Sequence, residues 1–493
     1  MNQKKTAITP TREENFSDWY HEVVKAAELA ENGPVRGSMV IKPWGFGIWE
    51  LIQKELDSRF KALGHQNVYF PLFIPLRLLE KEAEHVEGFA KECAVVTHTR
   101  LEKGADGTLV PASPLEEHLI VRPTSETVIG ETMAKWVESF RDLPIKINQW
   151  CNVVRWEMRT RMFLRTTEIL WQEGHTAHAT RKEAMEHAKT MLDVYVSFAR
   201  DYLAIPSIPG TKTSGEKFPG AEETLTFEML MPDGKALQGG TSHDLGQNFS
   251  KAANIRFETP EDGLEYAYTT SWGVTTRLVG ALIMTHSDDD GLVLPPKVAP
   301  NHIVILPVLP KGGDEEEIFA YCDALADKLR QKVFSGRALS VEIDKREMRG
   351  GEKKWHWVKK GAPMRIEVGP RDMEKGAAFV SMRFGEKPES MQIESLIDAA
   401  PKMLQKMQDR LLEKAESYLN GQVTPVQSKE ELYDHFKSKG GFVRCYMKDS
   451  IKLEEKLKED LQVTCRCIPF DAKKGPCIFT GEPSREVTIA RAY

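Results

Sequence analysis

The sequence predicts an α/β (α+β) protein: an antiparallel-sheet core, then a compact α/β domain, then a small α/β region at the C-terminus. Three observations predict it. Two partly apolar runs, Cys151 to Val154 and Glu168 to His175, flank a basic and polar segment, Met158 to Thr167. That pattern reads as two antiparallel strands joined by a charged loop. Beyond a proline-bearing connection at Lys297 to Pro300, strand-like and helix-like stretches alternate, as in an α/β domain. Finally, 493 residues exceed what one hydrophobic core holds, so roughly two to four domains are expected.

Composition narrows the class. Apolar residues make up 41% and charged residues 28%, as in ordinary globular proteins. The net charge of −6, from 67 basic and 73 acidic residues, gives no global field for nucleic acid, so such a partner must meet a local patch. The start, Met1 to Lys5, lacks an apolar leader core, and no uninterrupted membrane-spanning run occurs. Seven scattered cysteines do not form a disulfide framework. A cytoplasmic protein with no membrane partner is expected.

Along the chain, Ile48, Leu51, Ile52, Leu56, Phe60 and Leu63 recur at helical spacing before Gly64, and the proline-bearing stretch 65–75 is extended. At Val121 to Thr127, hydroxyls beside Glu126 either cap a helix or offer a hydroxyl and a carboxylate to a cationic ligand. In the hairpin, Arg155 and Glu157 stand two apart and share a face, as do Trp171, Glu173 and His175 on the partner strand. A face so charged lines a site or meets solvent. Arg155 can hold a phosphate by its forked guanidinium and Arg165 can reach in from the loop, although the same residues also suit a solvated, salt-bridged turn. Residues 181–203 carry Ala184, Ala188, Met191, Leu192, Tyr195, Phe198 and Leu203 on one helical face, which is core. Ser214 to Gly220 is turn-rich around Phe218. At Ala236 to Phe249, Gly239 and Gly240 let backbone approach a ligand, with Gln238, Thr241 and His243 presented from one strand and its turn. His243 beside Asp244 has no second ligand at useful spacing, so no metal is expected there. Ser271 to Arg277 leads into the apolar helix Leu278 to Met284; a cation entering a buried helix needs an anion or a carboxylate.

After the connection come a strand at His302 to Val308, a helix at Glu315 to Val333 and a strand at Leu339 to Ile343. From Asp344 to Arg371 stand Lys345, Arg346, Arg349, Lys353, Lys354, Lys359, Lys360, Arg365 and Arg371 against four acids, interleaved with Trp355 and Trp357. Local positive charge with aromatic faces suits single-stranded RNA, or is simply a solvated face. A helix at Ser395 to Leu419 precedes a last region containing Cys445, Cys465, Cys467 and Cys477, of which Cys465 and Cys467 read as packed in a strand.

The hairpin's F-L-R-T and L-W-Q-E-G-H resemble motif 2 (about 150–175) of class II aminoacyl-tRNA synthetases, and specifically prolyl-tRNA synthetases of archaeal/eukaryotic type. The helix–glycine–strand around Pro71 resembles motif 1 (about 60–75), and Ser271 to about residue 290 resembles motif 3. The resemblance implies a class II catalytic domain at 1–296, an anticodon-binding domain at 300–405 (on G-A-P-M-R-I-E-V-G-P-R-D, 361–372) and a zinc-binding-like C-terminal domain at 406–493. It implies a homodimer that uses ATP and Mg2+ to activate L-proline and charge tRNA(Pro). Implied catalytic residues are Arg155 and Arg277. The implied proline pocket is Thr124, Glu126, Arg155, Trp171, Glu173, His175, Phe218, His243 and Ser271. The implied ATP set is Arg155, Glu157, Arg165, Gln238, Thr241, Thr275 and Arg277.

Two departures qualify this. The family's C-terminal cysteine pairs are incomplete here, since no second cysteine follows Cys445 or Cys477 closely, so zinc is not expected. About 100 residues separate Glu173 from Ser271, too few for the editing insertion of bacterial-type members. The terminal Tyr493 matches the family's ending, where it reaches toward the active site. Two other readings stay open: an inactive RNA-binding or regulatory paralogue, and an amino-acid activator for an acceptor other than tRNA.

Overall fold

The computed structural model describes residues 6–80, 92–309 and 315–493; the charged start Met1 to Lys5 lies outside the described residues. Helix α1 (Pro43–Ala62) opens on Pro43 and buries Ile48, Ile52, Leu56 and Phe60, a stripe at four-residue spacing. A long hairpin follows, β1 (Ala94–Lys103) with β2 (Leu109–Val121), then α2 (Glu126–Trp136). The central pair is β3 (Ile145–Val154) and β4 (Glu168–His178), antiparallel with Gln149 opposite Glu173. Next come α3 (Arg181–Asp201), β5 (Ile208–Thr211), β6 (Glu223–Leu230), β7 (Ala236–Gly246), β8 (Tyr268–Thr275) and α4 (Arg277–His286).

These strands lie side by side in the order β5-β6-β7-β8-β4-β3, each antiparallel to its neighbours. One face packs on α3, whose Ala184, Ala188, Met191, Leu192, Tyr195 and Phe198 are buried as expected. Apolar and polar residues alternate along the strands, so the opposite face is left polar and concave.

The second sheet is built from β9 (Ile303–Pro307), β10 (Val341–Ile343), β11 (Met364–Val368), β12 (Ala377–Met382) and β13 (Glu389–Gln392), in the order β10-β9-β11-β12-β13. Here β9 runs parallel to β10 and β11. Helices α5 (Glu315–Arg330) and α7 (Ile393–Gly421) share a core with one face of this sheet. Helix α6 (Gly350–Lys359) covers the other, and its Trp357 belongs to the same core as α1. The two tryptophans interleaved in the basic stretch are placed differently. Trp357 is buried, donates to Asp344 at 2.9 Å and meets Trp44 edge-on, whereas Trp355 is 44% exposed. Helical spacing explains it: Lys353 and Trp357, four apart, turn inward together. Lys353 donates to the Asp344 carbonyl and Arg365 is buried, so part of the basic stretch is structural.

The last elements are β14 (Phe442–Met447), α8 (Ile451–Leu461), β15 (Thr464–Pro469) and β16 (Pro483–Ala490). They do not stand apart. Strand β15 pairs with β5, so the C-terminal strands continue the first sheet, and α7 runs unbroken through residue 405. Cys465 and Cys467 lie in β15 and, like Cys445 and Cys477, are buried among apolar side chains. No helix of the described residues is long and apolar enough to cross a membrane.

Candidate active site

The polar face of the first sheet carries a cavity of about 380 Å³. It is lined by Thr124, Glu126, Arg155, Glu157, Arg165, Trp171, Glu173, His175, Phe218, Gln238, Thr241, His243, Ser271, Thr275 and Arg277, which is every residue expected to touch ATP or proline. Strand alternation does most of the gathering: Trp171, Glu173 and His175 share one face of β4, and Ser271 stands opposite His175 on β8.

One placement differs from the sequence reading. Strand β3 ends at Val154, so Arg155 and Glu157 are not strand neighbours; they reach the cavity from the mouth of the loop. Arg155 N–H donates to the Thr167 carbonyl at 2.8 Å, closing the hairpin, and its Nε donates to Pro123 O at 3.0 Å. Its guanidinium lies 5.5 Å from the Trp171 ring. The glycine pair also has a packing cause. Glu228 faces Gln238 while Phe227 faces Gly240, so Gly239 is an extra, bulged residue. A Cβ on Gly239 would stand 2.0 Å from the Phe227 ring. The bulge shifts the alternation so that Gln238, Thr241 and His243 all point into the cavity.

At one end, α2 begins at Glu126 as expected, but the Ser125 side chain makes no capping bond. Instead Gln149 Nε2 reaches Ser125 Oγ at 3.5 Å, and the Thr124 hydroxyl bonds the Glu126 carboxylate. Glu173 accepts from Gln149 at 2.9 Å and pairs with His175 Nε2 at 3.1 Å. Burial alone would raise the Glu173 carboxyl, but the His175 hydrogen bond and charge, with Ser125 and Gln149, hold it below its ordinary range. Burial likewise would lower His175, and the Glu173 carboxylate reverses this, so the imidazole is raised. His243 goes the other way: burial takes it to about 3, so it stays neutral between the Thr224 and Thr241 hydroxyls, both at 3.0 Å. The Phe218 ring lies 4.6 Å from it. The Ser271 hydroxyl is buried and has no hydrogen-bond partner among the described residues.

At the other end, positive charge converges. Arg277 is the first residue of α4; its guanidinium makes two long contacts, to Leu164 O and Gln238 O, both 3.4 Å. Burial, then the nearby Arg165 and Arg155, bring it down to about 10. Glu157 meets Arg165 at 3.5 Å. Among the described residues no three His, Cys, Asp or Glu side chains gather to hold a metal. Tyr493 does not line the cavity; its hydroxyl donates to Asp233 at 2.7 Å and its ring lies under Arg161 of the motif 2 loop.

Gln149, Lys212 and Thr224 were missed. The signal for the strand holding Thr224 was its polar residues at two-residue spacing, Thr224, Thr226 and Glu228, in an otherwise apolar run.

A six-stranded antiparallel floor, arginines at one end and a terminal helix behind them define a class II tRNA synthetase core. The family described as tRNA synthetase class II core domain (G, H, P, S and T) matches residues 109–286, the anticodon binding domain family matches 302–403, and the prolyl-tRNA synthetase C-terminal family matches 429–493. Proline–tRNA ligases of Protochlamydia amoebophila and Rhodopirellula baltica are 56% and 55% identical over 99% of this chain, covering 99% and 98% of their own lengths. The crystal structure of prolyl-tRNA synthetase from Cryptosporidium parvum, complexed with L-proline and AMP, superposes with a TM-score of 0.90 at 38% identity, covering all of this chain and 98% of that one. The chain belongs to the proline–tRNA ligases, the enzymes that activate proline with ATP and attach it to tRNA.

Proposed function

We propose a division of labour within the cavity that rests on one observation, the convergence of the Arg155, Arg165 and Arg277 guanidinium groups at one end of it. Like charges drawn out of water repel and cost several kcal/mol unless an anion joins them. The triphosphate of ATP is that anion. In this reading Arg155 and Arg277 are catalytic: Arg155 bridges the proline carboxylate and the α-phosphate, while Arg165 and Arg277 hold the outer phosphates. Glu157, Gln238, Thr241 and Thr275 complete the ATP set. Thr124, Glu126, Trp171, Glu173, His175, Phe218, His243 and Ser271 enclose proline, with carboxylates facing its secondary ammonium and Ser271 supplying a hydroxyl that needs a partner.

A proline carboxylate oxygen attacks the α-phosphorus and pyrophosphate leaves. The 3′-terminal hydroxyl of tRNA then attacks the prolyl carbonyl and AMP leaves. The protein contributes position and charge, not a covalent intermediate. Proline and AMP together in the Cryptosporidium parvum relative support both subsites. Magnesium fits as an ion carried on the phosphates, since it is commonly held by substrate phosphates plus one or two carboxylates, and Glu157 stands at that end. When bound it neutralises phosphate charge. Zinc has no part in this reading.

We divide the chain into working units at 1–296, 300–405 and 406–493, the second gripping the anticodon of tRNA(Pro), with Trp355 at its surface. The enzyme is placed in the cytoplasm and acts as a homodimer through the motif 1 stretch, where Tyr69 and Phe73 are 74% and 47% exposed. Sedimentation at a mass of 55.8 kDa instead of twice that would refute the dimer.

Amino-acid-dependent ATP–pyrophosphate exchange, run with all twenty amino acids, tests the site. Exchange is expected to be strongest with proline and about 100-fold lower or worse in R155A. Strongest exchange with another amino acid would overturn the pocket, and none at all would favour the RNA-binding reading.

A further inference from the structure

A buried ion cluster lies beneath the cavity and joins two distant parts of the chain. Glu228 of β6 accepts from Lys212 Nζ at 2.9 Å and Thr226 Oγ1 at 2.8 Å, both on Oε1. Its other oxygen accepts from Arg466 Nε at 3.0 Å and Nη2 at 2.9 Å, from a residue 238 positions along the chain. The remaining Arg466 nitrogen, Nη1, donates to Thr464 Oγ1 at 2.8 Å. All three charged side chains are withdrawn from solvent. Lys212 lines the cavity, and Glu228 stands opposite Gln238, whose carbonyl contacts Arg277.

The C-terminal region is shaped to deliver this arginine. Strand β15 runs against β5 with Ile468 opposite Thr211 and Pro469 opposite Gly210. A Cβ on Gly210 would sit 2.4 Å from the Ile468 carbonyl oxygen, so a side chain there would hold the strands apart. The same region clamps the adjoining cavity wall. The Asp449 carboxylate accepts from the Ser214 N–H at 3.0 Å and its hydroxyl at 2.9 Å, and Glu454 accepts from the Thr213 hydroxyl at 2.8 Å.

A buried carboxylate seeks every cation within reach. With Arg466 gone, one Glu228 oxygen would lose both donors, and the Lys212 ammonium, already on the other oxygen at 2.9 Å, would be pulled across to serve both. We propose that Arg466 is a positioning residue for the activation of proline: it satisfies Glu228 from behind, so that the Lys212 ammonium stays in place at the nucleotide end of the cavity floor. The C-terminal region thereby completes the active site through one side chain. This rests on reading the Gln238–Arg277 end as the ATP end.

The test uses the full-length enzyme in ATP–pyrophosphate exchange, comparing wild type, R466M, R466K and R277A. R466M is expected to raise KM for ATP tenfold or more while KM for proline stays within twofold, and R466K, which keeps the charge, is expected to recover most of the loss. If R277A retains normal exchange, the reading of the ATP end has failed. If R277A is impaired but R466M leaves KM for ATP within twofold, or raises both KM values alike, Arg466 is merely structural and the proposal is overturned. Should R466M not fold, K212M, which leaves Glu228 paired with Arg466, is measured instead: a KM for ATP raised tenfold or more supports the proposal, and one within twofold of wild type overturns it.

Discussion

Glu173 and His175 stand two apart on β4, both buried, and each moves the other's protonation in the direction that makes an ion pair. Removing one partner of such a pair strands the other charge, which costs about 3–5 kcal/mol, or roughly 100- to 4000-fold in an equilibrium. E173Q is therefore expected to lower kcat/KM for proline by about 100-fold or more while KM for ATP changes only a few-fold; an unchanged kcat/KM for proline would remove Glu173 from the pocket. The pair also carries a signed pH dependence. The raised His175 adds stability that is complete below its ordinary 6.5 and lost as pH climbs through its raised value. The lowered Glu173 adds stability that is complete above its ordinary 4.5 and lost as pH falls through its lowered value. Their joint contribution is greatest between 4.5 and 6.5, so thermal unfolding should separate wild type from E173Q more at pH 5.5 than at pH 8.5.

At the scale of elements, what the sequence disclosed was local. The hairpin β3–β4, the helix starting at Glu126, the apolar face of α3 and the entry of Arg277 into α4 all follow from periodicity and charge within a few residues of each other. The resemblance then assigned the side chains, and the fold gathers all of them around one cavity. What stayed hidden depended on partners far along the chain. Arg155 and Glu157 read as strand residues because nothing local marks the strand's end at Val154; the next N–H, that of Trp156, leaves the hairpin for the Glu92 carbonyl at 2.8 Å. The glycine pair read as a ligand approach, and both glycines line the cavity, but the Phe227 ring that also demands Gly239 was out of sight. The burial of Trp357 had no local sign because its partner Trp44 lies more than 300 positions earlier. The cluster of Lys212, Glu228 and Arg466 had no local trace beyond the alternation in β6, since one of its members arrives from β15.

Over the whole molecule, the chain between the motif 2 and motif 3 strands decides how errors are handled. From the end of β4 at His178 to the start of β8 at Tyr268, the elements are α3, β5, β6 and β7, the short helix Asn248–Ala253 and the strand pair Arg256–Glu258 with Leu264–Tyr266. Strands β5 to β7 are members of the catalytic sheet, and α3 packs on it. No segment there is left to form a second, hydrolytic pocket of its own. Within this stretch selection falls to the cavity at activation, and there physics limits it. Losing a methylene contact changes binding by only about 1–3 kcal/mol, and a cavity that admits proline cannot sterically refuse the smaller alanine or a cysteine of similar size. Alanine and cysteine are therefore expected to support slow exchange, and the misacylated product should survive. Alanyl-tRNA(Pro) incubated with the purified enzyme is expected to deacylate at the rate seen without protein. Hydrolysis more than about tenfold faster, about 1.4 kcal/mol of barrier, would mean that the cavity itself, or a site outside this stretch, clears errors in cis. Loss of that hydrolysis in R155A would then assign it to the synthetic cavity.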